Sequence, residues 1–114
     1  MANAFLCETD TGIGTSPATI YTCPADTQTT VIGLSIANIV TSQITADVIL
    51  DASGRTSGAE DAVYLVKDAP VPVGGSLVVV GGDQKVVMEP GDIITVTSDT
   101  ASSIDVVMSH LDIT

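Results

Sequence analysis

The sequence predicts an all-β protein: a single-domain antiparallel β-sandwich, jelly-roll-like, of eight or nine short strands. Three observations carry this expectation. Short apolar, β-branched segments alternate with turn residues along the whole chain, and no segment has the 3.6-residue period of an amphipathic helix. Hydrophobic residues make up 45% of 114 residues and aromatics only 3%, so the apolar content is Val, Ile, Leu and Ala, residues suited to pleated surfaces. The run APVPVGGSLVVVGGDQKVVMEPGDIITVTSD, from Ala69 to Asp99, reads as three strands joined by two tight turns.

Taken in order, Asn3 to Glu8 forms a first strand, and TDTGIGTSP after it is a loop without periodicity. Ala18 to Cys23 is the second strand, ended by Pro24-Ala25-Asp26. Thr27 or Gln28 to Val40 is the longest strand and sets Ile32, Leu34, Ile36 and Asn38 against a face of small residues, including Gly33, Ser35 and Ala37. That small face implies close approach by another sheet or backbone. Ile44 to Asp51 places Ile44, Ala46, Val48 and Leu50 inward and Thr45, Asp47, Ile49 and Asp51 toward solvent.

ASGRTSGAE, from Ala52 to Glu60, is small, polar and glycine-rich, which predicts an exposed, mobile loop carrying Arg55, the only arginine. Asp61 to Lys67 returns as a strand. Pro70 and Pro72 then forbid a central ladder, so their segment belongs to an edge strand or a crossover between sheets. Ser76 to Val80 and Lys85 to Met88 flank Gly81-Gly82-Asp83 as a hairpin. Glu89-Pro90-Gly91-Asp92 predicts a type II turn, with Gly91 at the position that needs φ > 0. Ile93 to Thr97 buries Ile94 and Val96. Ser103 to Ile113 carries apolar side chains on both faces, which places it either centrally between two layers or at a subunit contact.

Length allows one modest core and one domain, residues 1–114. Lys and Arg total 3 against 14 Asp and Glu, a formal charge of -11. A surface of that sign repels phosphate backbones, so nucleic acid is not an expected partner. Mean hydropathy is high at +0.47, yet no apolar run approaches the roughly 18 residues of a membrane helix, and membrane insertion is not expected. No basic, apolar and cleavage-site pattern marks a signal peptide. Synthesis and assembly in the cytoplasm follow as the expectation.

No catalytic constellation, metal site or cofactor site is legible. His110 is the only histidine, which removes most zinc sites and histidine-based triads with a recognisable second partner. The Pro90 to Asp92 turn also occurs in metal-dependent jelly-roll enzymes, but those need paired histidines on a neighbouring strand. The acidic pairs Glu8 with Asp10, Glu60 with Asp61, and Asp99 with Asp105 lack calcium-loop spacing and read as solvated carboxylates. Carbohydrate binding is disfavoured because only Phe5, Tyr21 and Tyr64 could offer flat apolar faces. A hairpin centred near Thr15 would set Cys7 opposite Cys23 at disulfide distance; two buried thiols are the other reading for a chain made in the cytoplasm.

Three stretches, GIGTSPATIYTCPADTQTTVIGLSIAN, YLVKDAPVPVGGSLVVVGGDQKVVMEPGDIITV and ASSIDVVMSHLDIT, together resemble the small β-rich virion structural proteins of tailed bacteriophages, particularly those of marine bacteria and cyanobacteria. The resemblance implies a non-enzymatic subunit present in many copies. Cys7 and Cys23 are not part of its pattern, nor is the Ala52 to Glu60 insertion, so it implies neither a disulfide nor a loop function. The function expected is a capsid decoration, or cement, protein on the head exterior. It would bind the major capsid protein or other virion subunits and form a homo-oligomer such as a trimer. A neck, tail or fibre subunit is the alternative, though the chain shows neither a stem nor aromatic or basic loop tips. A small jelly-roll enzyme or ligand-binding protein is a third reading, which a deep polar pocket beneath the Pro90 to Asp92 turn would favour. The expected contact surface is Pro70, Val71, Pro72 and Val73 together with Val106, Met108, His110 and Leu111.

Overall fold

The structure, a computed structural model, describes residues 3–114; residues 1–2 of the expected domain lie outside the described residues. Nine strands follow in order: β1 Asn3–Ile13, β2 Ala18–Thr22, β3 Gln28–Asn38, β4 Ile44–Asp51, β5 Ala62–Val71, β6 Ser76–Val80, β7 Val86–Met88, β8 Ile93–Ser98 and β9 Ile104–Ile113. They form two antiparallel sheets packed face to face. Sheet A has the order β1-β9-β3-β6, with β7 also paired to β3, and sheet B has the order β2-β8-β4-β5.

β6 and β7 lie end to end along one flank of β3. Val80 and Leu77 pair with Leu34 and Ile36, while Met88 and Val86 pair with Thr29 and Val31. Counted as one interrupted strand, they leave eight strands divided between two four-stranded sheets, the arrangement of a jelly roll. The hairpin expected at Gly81-Gly82-Asp83 is therefore a break within a single edge strand. Gly82 supplies the required positive φ of 62°, and the Lys85 ammonium donates to the Gly82 carbonyl across the break.

At Glu89-Pro90-Gly91-Asp92 the expected type II turn is present: the Asp92 N–H donates to the Glu89 carbonyl at 3.0 Å and Gly91 has φ +95°. The turn carries the chain from sheet A to sheet B, so β7 and β8 are not hairpin partners. The loop after Ile13 likewise crosses between sheets, so β1 and β2 do not pair. Cys7 stands exposed on β1 opposite Ser109, Cys23 is buried just beyond β2, and both are free thiols. The cross-strand disulfide, one of the two readings, is not formed, because the turn between these strands joins two layers instead of two neighbours; of the two thiols in the other reading only Cys23 is buried.

The core forms between the sheets from Val31, Leu34 and Ile36 of β3, Ile44, Ala46 and Val48 of β4, Val80, Met88, Ile94 and Val96, and Ile104, Val106 and Met108 of β9. The alternation on β4 and β8 matches the expected one. On β3 it slips by one residue: Val31 is buried, Ile32 is only half-buried, and the register against β9 shifts between Val31 and Gly33. An extra residue in one strand of a pair flips the side chains that follow, so Val31 and Leu34 both face inward.

β5 is the outer strand of sheet B, and Pro70 sits within it opposite Thr45. The prolines therefore mark both an edge and the crossover that follows it, as their missing donors require.

Candidate functional site

β9 runs down the middle of sheet A, between β1 and β3. Its alternation sends Val106, Met108, His110 and Asp112 inward and Val107, Ser109 and Leu111 outward. Val106, Met108 and His110, expected as contact surface, are accordingly core residues, and Val71 is buried as well. Pro70, Pro72 and Val73 are exposed at the margin of sheet B, and Leu111 is half-buried on the outer side of sheet A. A strand apolar on both faces satisfied the contact reading, but its central position, covered on one face by sheet B, explains the pattern.

Where β9 approaches β1, β2 and β3, the buried polar residues join in one network. His110 Nδ1 lies 2.8 Å from Asp112 Oδ1 and its Nε2 lies 3.0 Å from Glu8 Oε2, so a carboxyl group stands at each ring nitrogen. The Thr29 hydroxyl donates to Asp112 Oδ1 at 2.8 Å and the Tyr21 hydroxyl to Asp112 Oδ2. Tyr21 also packs its ring on the imidazole, with centroids 4.2 Å apart. Burial pushes the Asp112 carboxyl up, but the hydrogen bonds from Tyr21, Thr29 and His110, with attraction to His110, outweigh it and hold the group below its ordinary value. Burial and the Asp112 carboxylate push the Tyr21 hydroxyl well up. Burial also raises the Cys23 thiol, which contacts Thr29 Oγ1 at 3.4 Å and the Thr27 carbonyl at 3.3 Å.

The chemistry available to this network is cohesion. One residue on β9 is bonded to β1, and a second to β2 and β3, so four strands converge on two side chains. The sequence singled out His110 but missed Asp112, although an i, i+2 spacing on a strand places both on the same face.

The Ala52 to Glu60 loop is largely exposed, as expected, but it is anchored where a mobile loop was expected. Arg55 Nε and Nη2 donate to the two Asp92 carboxylate oxygens at 2.8 and 3.0 Å, and Nη1 donates to Glu89 at 2.8 Å. The guanidinium lies against the Pro90 to Asp92 turn, the place where a deep polar pocket would favour a ligand-binding reading. A shallow depression of about 410 Å³ lies beside it, lined by Asp26, Thr27, Gln28, Ser57, Glu89 and Pro90 among others.

The outer face of sheet A has a different character. The registers set Phe5, Leu111, Thr30 and Val87 in one row and Thr9, Val107, Ser35 and Val78 in another, with Cys7, Ser109 and Gly33 between. Phe5 is 77% exposed, Val78 66% and Val87 56%. Of the carboxylates on β1, β3, β6, β7 and β9, only Asp105 projects on this side, at the end of the sheet beside Thr11. The outer face of sheet B, by contrast, carries Asp47 and Asp51. Val107 borders a shallow cleft of about 150 Å³ above the small residues Ser35 and Ala37 of β3. The sequence signal for this surface was present: Phe5, Cys7 and Thr9 alternate on β1 without charge, and the small face of β3 lies between the two rows.

No protein-family model matches the chain, and no curated protein is significantly similar to it. Among solved structures it is similar to a protein of the Bacillus endospore appendages, which form a family of disulfide-linked pili. The TM-score is 0.55 at 16% identity, over 99% of this chain and 87% of that one. At that identity the likeness is one of fold.

Proposed function

We propose that this chain is a non-enzymatic structural subunit of a bacteriophage virion, present in many copies, and that it decorates the head by docking the outer face of sheet A on the major capsid protein. The observation that carries the reading is the charge pattern. A chain of formal charge -11 leaves one broad sheet face almost free of carboxylates while exposing Phe5, Val78 and Val87 there. Contiguous exposed apolar surface of this kind marks interaction sites, and the carboxylates elsewhere keep the remaining surface solvated. The two polar clusters are engaged in bonding strands and loops together. The fold is similar to that of a protein of the Bacillus endospore appendages, a family of disulfide-linked pili, which supports a structural role without specifying the particle.

The test is the copy number per purified particle of the phage encoding the chain, measured by quantitative mass spectrometry against the major capsid protein. A ratio near one to one, or a count in the hundreds, supports decoration of the head. A count of about six to a few dozen, the scale of rings and fibres, moves the subunit to the neck or tail. Absence from particles overturns the virion reading. The double variant Phe5→Asp/Val107→Asp should remain folded by circular dichroism and fail to co-sediment with particles stripped of the native subunit.

A further inference from the structure

The two sheets have four edges, and three are guarded against pairing with another chain. β2 is five residues long, carries a register shift between Thr19 and Tyr21, and is flanked by Pro17 and Pro24. β5 contains Pro70, and Asp68 adopts φ +50° beside two register shifts. The β6 to β7 edge is broken by the turn at Gly81 to Lys85. Short length, proline, bulges and interruptions are the devices by which sheets blunt their edges.

Of these β1 has none over most of its length; charge, a further such device, it carries only on the face of Glu8 and Asp10, where Glu8 is bonded to His110. It is an eleven-residue strand, its register against β9 is unbroken from Asn3 to Asp10, and both of its faces are largely exposed, with Phe5 on one side and Leu6 on the other. Its outer flank is a row of backbone donors and acceptors, a template for a further strand.

The geometry points to a second copy of this chain as the occupant, paired antiparallel through β1 about a two-fold axis at Cys7. This rests on the structural-subunit reading and adds the surface by which two subunits meet. Because the other three edges are guarded, a head-to-tail contact between unlike edges is disfavoured, and the remaining contact is β1 on β1, which is isologous. Charge then selects the register. A two-fold axis normal to the sheet pairs residues of the same face, so it must pass through a residue. An axis at Glu8 would oppose two carboxylates. At Cys7 it sets Glu8 against the partner's Leu6 and Asp10 against the partner's Ala4, and of the axes that keep carboxylates apart it pairs the most of Asn3–Ile13. Phe5 then packs beside the partner's Thr9. The same axis leaves both outer faces of sheet A on one side, so a pair of subunits presents two docking faces to one lattice and gains from bivalency.

Sedimentation velocity of the full chain over a concentration series tests this directly. The expected result is a monomer of 11.5 kDa at low concentration, giving way to a dimer, with dimerisation strengthened by salt because both copies are acidic. Cys7→Lys, which sets two like charges at the axis, should abolish the dimer while leaving the circular dichroism and thermal midpoint unchanged. Diamide, which accepts two electrons and two protons from two thiols, should trap the wild-type dimer through Cys7, and Cys7→Ser should escape trapping. A chain that stays monomeric to about 1 mM, or a dimer that persists in Cys7→Lys, overturns the inference. Co-sedimentation with stripped particles separates the two proposals: a monomer that binds particles overturns only the pairing, and a dimer that does not bind them overturns only the virion reading.

Discussion

The Arg55 guanidinium grips both carboxylate oxygens of Asp92, Nε to Oδ1 at 2.8 Å and Nη2 to Oδ2 at 3.0 Å, and the Asp92 side chain is wholly buried. The bidentate fork joins the loop after β4 to the turn before β8, two segments 37 positions apart. Arg55→Met strands a buried carboxylate and should lower the thermal midpoint by on the order of 10 °C. Arg55→Met/Asp92→Asn should recover part of that loss, since the buried charge is then removed with its partner. Equal midpoints for Arg55→Met and wild type would show that the fork contributes nothing.

Gly91 lies under the same loop. It has φ +95°, and a Cβ added there would overlap the Gly54 carbonyl oxygen. Backbone oxygen cannot swing aside as a long side chain can, so Gly91→Ala should destabilise by about 1–3 kcal/mol. Denaturant unfolding measures this. Gly12→Ala is the control: its φ is +67° but the space around it is open, so it should cost the smaller, purely conformational part.

Met108→Asp should unfold the chain. Met108 is fully buried between the sheets, so the substitution removes core volume and buries a carboxylate without a partner. Far-ultraviolet circular dichroism would show the loss of sheet. A folded Met108→Asp would contradict the placement of β9 at the centre of sheet A.

His110→Ala should destabilise by roughly 2–5 kcal/mol, because it leaves a cavity beneath Tyr21 and withdraws the ring nitrogens that bond Glu8 and Asp112. Hydrogen exchange should loosen first at β1, which loses the Glu8 contact. If β1 amides exchange as in wild type while stability falls, the histidine fills space without securing that strand.

Acid should weaken the fold through carboxylates that are hydrogen-bonded in the native state. Asp112 is buried, yet the bonds from Tyr21, Thr29 and His110 hold it below its ordinary value. The Thr45 N–H and the Thr100 hydroxyl likewise hold Asp99 down. A carboxyl depressed in the folded state contributes stability that is complete above its unfolded pKa, about 4, and is lost as the pH falls through the folded value. The urea midpoint should therefore change little through these groups above about pH 5 and fall below about pH 4. In Asp112→Asn the acid-side slope should be shallower. An unchanged slope would show that Asp112 does not carry the effect.

The local events of this fold are written in local sequence. β4 and β6 begin and end where the alternation and punctuation place them, Ile94 and Val96 are buried as their spacing requires, and Gly91 adopts the positive φ that a Pro-Gly pair predicts. Each of these is fixed by the sterics and hydrophobicity of a few neighbouring residues.

Which strand pairs with which is decided elsewhere. Gly81-Gly82-Asp83 has hairpin chemistry, yet β6 and β7 continue along β3, because the same alternation can be satisfied by any apolar flank and only the packed sandwich selects one. The slip at Val31 to Gly33 is likewise invisible in the alternation of β3, since it exists only in the register with β9. His110 and Glu8 stand 102 positions apart, and their contact arises because tertiary packing sets β1 beside β9. Sequence by itself determined the all-β character, most of the strands and the acidic surface of this protein, but it ended β1 at Glu8 where pairing with β9 carries the strand on to Ile13. The tertiary structure alone decided which residues are core, which edge is open and which face is free of charge, because those properties belong to pairs of strands that the chain brings together only on folding.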